Sequence, residues 1–95
     1  MASHFILHLH FRLQGCHGLK EKRSRLAPLL TKLKNQNLSV IESDLMDKHQ
    51  EAIISIAKVS LNSSSLNRDL DQLLAFIDED RNDLYLIDYQ VEQFV

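Results

Sequence analysis

Lys20, Lys22, Arg23 and Arg25 crowd the stretch that directly follows Gly15-Cys16-His17-Gly18. Such an order puts positive side chains in the opening turns of a helix, where free backbone amides and the helix dipole already favour an anion. The two glycines let a phosphate come close to the main chain. The chemistry that fits is capture of an RNA phosphate, with Lys20, Lys22, Arg23 and Arg25 as ligands and Arg12 and Lys32 assisting. A solvated helix face is the plainer reading of the same charges. The Gly-x-x-x-x-Gly-Lys-Ser/Thr spacing of a nucleotide-hydrolysing loop is absent, so phosphate contact here implies no hydrolysis.

His8 and His10 form a second constellation. Two residues apart on a strand, their imidazoles share one face about 7 Å from each other, a spacing at which both could ligate one metal. Asp88, Gln90 or Glu92 would have to supply a third ligand from a neighbouring strand. Hydrogen bonds to nearby acids are the commoner fate of such histidines, and no metal or other cofactor is expected. Cys16-His17 has the types of a nucleophile and its base, but adjacent residues on a turn rarely point at each other. An inert thiol is expected, and the chain is read as a non-enzyme.

The elements that must position these groups follow from periodicity. Over residues 4–13, Phe5, Leu7, Leu9, Phe11 and Leu13 alternate with His8, His10 and Arg12, which predicts a half-buried strand. From Leu19 the period becomes helical, with Leu26, Leu29, Leu30 and Leu33 on one face. Pro28 predicts a kink or a division near Ser24–Pro28, since it removes one hydrogen bond and crowds the preceding turn. Residues 38–43 read as an edge strand, and residues 52–61 as a central strand apolar on both faces. A serine-capped turn at 62–65 leads into a helix built on Leu66, Leu70, Leu73, Leu74 and Ile77. After an acidic loop at 78–83, residues 84–95 alternate again, with Ile87, Tyr89 and Val91 directed inward.

Strand-helix-strand, repeated twice, predicts a single α+β domain over 1–95: a ferredoxin-like β-α-β-β-α-β sandwich with four antiparallel strands and both helices on one face. The first and third strands are central. The open face is expected to carry His8, His10, Arg12, Ile54, Ile56, Lys58, Asp88, Gln90 and Glu92. Ile54 and Ile56 would form an apolar strip there for a homodimer or another protein.

Composition bounds the partners. Of 95 residues, 44% are hydrophobic and 25% charged, as in a folded globular chain. The net charge of −2 hides a segregation: residues 19–36 hold six cations against Glu21 alone, while residues 37–95 hold four against twelve acids. A basic element on an acidic body suits a focused phosphate contact better than indiscriminate coating of nucleic acid. The lone cysteine excludes an internal disulfide, and no apolar run approaches the roughly 20 residues that span a bilayer. A reducing cytoplasm is the expected location.

The run Gly15-Cys16-His17-Gly18-Leu19-Lys20-Glu21-Lys22-Arg23 resembles the YlxP-like family of small bacterial proteins, a domain of unknown function, whose pattern there is Gly-Cys-x-Ser-Leu-Lys-Glu-Lys-Arg. Val40-Ile41-Glu42, Gln50-Glu51-Ala52 and Leu86-Ile87-Asp88-Tyr89 match further along. The resemblance implies a ferredoxin-like fold and a cytoplasmic role linked to translation or ribosome assembly. Gly18 departs from its serine, and His49 and Glu51 stand where Trp and Arg are common. Arg12-Leu13-Gln14-Gly15 superficially looks like the phosphate loop of acylphosphatase. Leu19 would then occupy the place of that family's catalytic arginine, leaving a transferring phosphoryl group without its stabilising cation.

Three functions follow as expectations. The first is an RNA- or ribosome-associated accessory factor, acting in small-subunit assembly or translation. The second is a protein-binding or homodimerising module, and the third a small-molecule enzyme.

Overall fold

A computed structural model describes residues 1–79 and 83–94. Its elements run β1 (Ser3–Arg12), α1 (Leu19–Lys34), β2 (Ser39–Asp44), β3 (Glu51–Ser60), α2 (Ser63–Glu79) and β4 (Tyr85–Phe94). They form the expected β-α-β-β-α-β sandwich, with one antiparallel sheet in the order β2-β3-β1-β4. Of the acidic stretch 78–83, residues 80–82 lie outside the described residues. Among those described, no helix is long and apolar enough to cross a membrane.

Alternation in β1 becomes burial. Phe5, Leu7 and Leu9 are fully buried under the helices, and Leu7 sits between Ile56 of β3 and Val91 of β4. Leu26, Leu29 and Leu33 of α1 and Leu66, Leu70, Leu73 and Ile77 of α2 close the core from above. Leu74 is only partly buried at its margin. Burying each of these leucines removes about 1.5–3 kcal/mol of apolar hydration.

Several local expectations need correction. Pro28 does not divide α1, which runs unbroken for 16 residues. Its ring is exposed, so the proline costs one ladder bond without intruding on the core. The cap of α2 is Asn62, not a serine: its Oδ1 accepts the Ser65 amide at 2.9 Å. In β4 the register against β1 shifts between His10 and Phe11. This bulge leaves Ile87 without a partner and lets Leu86, opposite Phe11, turn to the core in its place.

The face of β3 is the larger correction. Ile54 and Ile56 are 0% exposed and belong to the core. They pair with Leu9 and Leu7, so parity sends them under the helices and leaves Ile53, Ser55 and Ala57 on the open face. No partner can use Ile54 or Ile56 as a surface strip. Lys58, opposite Phe5, also lies on the helix side, where it meets Asp69 of α2 at 3.7 Å.

Helical cover stops short of β4. α1 packs on β2, and α2 packs on β3 and β1. Tyr89 and Val91 face the helix side opposite Leu9 and Leu7, yet Tyr89 remains 47% exposed.

Candidate functional site

The candidate site begins where β1 ends. Leu13 N donates to Gln50 O at 2.8 Å, which continues the β1–β3 ladder one step, and Gly15 then turns the chain at φ +73°. Gly18 is extended, and its carbonyl accepts the Lys22 amide at 3.0 Å, which starts α1. The Cys16 thiol is buried against the Gly18 carbonyl.

The cations of this helix do not act together. Lys22 is buried to 1% exposure; its Nζ donates to Leu45 O at 2.8 Å and Lys48 O at 2.7 Å, and sits 2.7 Å from Glu42 Oε2. Two hydrogen bonds and a close carboxylate thus hold the ammonium inside the protein, and Lys22 is withdrawn from the phosphate-binding set. Its role is to tie the β2–β3 loop to α1. Arg25 is also largely spent internally: its guanidinium donates to Gln14 O at 3.0 Å and to Asp83 O, with Glu21 at 3.5 Å. It joins the end of β1 to the segment leading into β4.

Lys20 and Arg23 are exposed, as expected, and so is Lys34 in the last turn. At about 100° per residue these three fall within roughly 60° of one another on the helix. Glu21, the one acid of α1, lies in the first turn on the opposite flank, the one that Lys32 shares in the last turn. Arg12 is exposed at the last position of β1, opposite Glu51 and Tyr85. Lys34, counted among the six cations but not among the phosphate ligands, falls on the same flank because its spacing from Lys20 is four turns in about 14 residues.

On the open face the histidines take the commoner role. His8 Nδ1 lies 2.7 Å from Ser55 Oγ and His8 Nε2 lies 2.8 Å from Glu92 Oε2, while Ser55 Oγ meets Ser43 Oγ at 2.7 Å. One hydrogen-bonded row therefore crosses the sheet from β2 to β4. Hydroxyl, imidazole and carboxylate stand in the order of a nucleophile relay, but Ser55 is 8% exposed and shares its oxygen with Ser43. The row ties the strands together across the open face. His10 Nε2 meets Glu51 Oε1 at 2.9 Å. Both imidazoles are thus engaged by carboxylates, and among the described residues no three His, Cys, Asp or Glu side chains are grouped to hold a metal.

The sequence model of a family described as "Protein of unknown function (DUF503)" matches residues 5–91. The chain is also 39% identical over 62 residues to the uncharacterized protein YlxP of Bacillus subtilis (strain 168), a match that covers 64% of this chain and 67% of that protein.

Proposed function

The chain belongs to the DUF503 family of proteins of unknown function, and from that premise we propose that it is a non-enzymatic, cytoplasmic accessory factor that docks on structured RNA. The small ribosomal subunit is the target we favour. Phosphates would be held by the outer flank of α1, through Lys20, Arg23 and Lys34. One observation carries this reading: these cations point to solvent on a flank without an acid, while Lys22 and Arg25 are consumed inside the fold. The flank is about 21 Å long from Lys20 to Lys34, enough to follow several phosphates of one backbone. It offers no aromatic platform for bases, so the contact reads backbone and not sequence.

Titration of a fluorescent RNA hairpin across salt concentration tests the proposal. Three phosphate contacts predict a slope of log K on log salt near −2 for single-stranded and near −3 for duplex RNA-like backbones. A flat response rejects it. Lys20→Glu with Arg23→Glu should abolish binding and co-sedimentation with ribosomal subunits while leaving the melting temperature within a few degrees; retention of binding by this variant rejects it equally.

A further inference from the structure

Of the four strands, the last is the least covered. Tyr85 (66%), Ile87 (38%), Tyr89 (47%) and Phe94 (45%) make β4 the richest site of exposed large apolar side chains among the described residues. Its outer edge bears a row of backbone donors and acceptors with no strand beside it among the described residues. The opposite edge of the sheet, β2, is only 6 residues long, whereas β4 has 10. Proteins ordinarily blunt a long edge with lysine, proline or inward charge. β4 has no lysine and no proline; its two acids, Asp88 and Glu92, stand on the open face, and its bulge at Ile87 is confined to its first third.

We infer that β4 pairs with β4 of a second copy of this chain, antiparallel about a two-fold axis through Val91, so that two four-stranded sheets join into one of eight. The choice of occupant comes from the strand's own residues. A two-fold axis pairs positions on the same face, and only three central registers keep most of β4 in use. Centring on Tyr89 places the unpaired Ile87 of the bulge against Val91. Centring on Gln90 sets Asp88 opposite Glu92, a like-charge pair made twice. Centring on Val91 avoids both faults. It uses the seven regular residues Asp88–Phe94, with Glu92 facing Gln90, Asp88 facing Phe94, Tyr89 facing Gln93, and Val91 facing its own copy. No acid opposes an acid. On the helix side, the two partly buried Val91 side chains meet on the axis, and each exposed Tyr89 lies against Gln93 of the other copy.

Sedimentation equilibrium and oxidative trapping on the full chain test this pairing. The wild type should approach twice the 11.0 kDa chain mass at tens of micromolar, and Val91→Asp, which brings two carboxylates together on the axis, should weaken the dimer about tenfold or more. In a Cys16→Ser background, Val91→Cys should form an intermolecular disulfide under mild oxidation, because facing Cα atoms in such a pair lie about 4.5–5.5 Å apart. Tyr89→Cys should not, since its symmetry mate lies about 13 Å away along the strand. A monomer at all concentrations overturns the inference, even if a strand from an unrelated peptide adds to the edge instead. So does a dimer that Val91→Asp leaves intact, or one trapped as readily through Ile41→Cys on β2.

Discussion

Lys22 Nζ lies 2.7 Å from Glu42 Oε2, with the lysine side chain 2% exposed and the glutamate 24%. This pair, with the two loop carbonyls that complete the ammonium shell, turns the centre of the basic run into a structural pin. Removing one partner strands the other charge in a place where water reaches poorly.

Lys22→Met should therefore lower the unfolding free energy by about 3–5 kcal/mol, read from urea denaturation. Lys22→Met with Glu42→Leu should recover a large part of that loss, because two apolar groups leave no unpaired charge. Equal losses in the single and double variants would mean that the loop carbonyls, and not Glu42, dominate.

Among the open-face groups, Ser55 links His8 to Ser43. Ser55→Ala should cost about 1–3 kcal/mol, since it leaves nearly buried polar atoms without a partner. Melting temperature should fall by roughly 4–8 °C for each kcal/mol in a domain of this size. A neutral result would show that solvent satisfies the row.

In α2, Leu73 is 5% exposed while Leu74 lies at the core's edge. Leu73→Ala should cost about 2–5 kcal/mol by chemical denaturation, and Leu74→Ala clearly less. Ile54→Lys should unfold the chain, not dissociate a complex, because its side chain lies in the core.

For RNA binding, Lys34→Glu should reduce the magnitude of the salt slope by about one contact, 0.7–0.9. Lys32→Glu, on the flank shared with Glu21, should leave it nearly unchanged. Equal effects from the two would mean that the cations act as a diffuse cloud and not as an aligned flank.

Much of the fold was legible because strict alternation in β1 and helical spacing in α2 each admit one burial pattern. Lys22 was legible too, though it was read as a ligand. It stands three residues after Leu19 and four before Leu26, inside the apolar stripe, and a lysine at such a position is carried into the core. Ile54 and Ile56 misled for a different reason. β3 is apolar at both parities, so only Ser55 among its inner residues marks the open face, and the outcome depended on which residues of β1 it met. Ile87 was placed inward because a bulge shifts parity after one residue, and period-two reading has no signal for it. The internal ligands of Arg25 are main-chain carbonyls, which every residue carries and no sequence pattern reveals.

The pairing of Leu7 with Ile56 has a consequence for biosynthesis. These residues are 49 positions apart in the chain, so β1 emerges from the ribosome long before the strand that will flank it. At about 5–20 residues per second, a segment made of alternating leucine and phenylalanine waits several seconds without a neighbour. Its intervening His8, His10 and Arg12 then act as gatekeepers against premature association, a duty finished before the mature sheet exists.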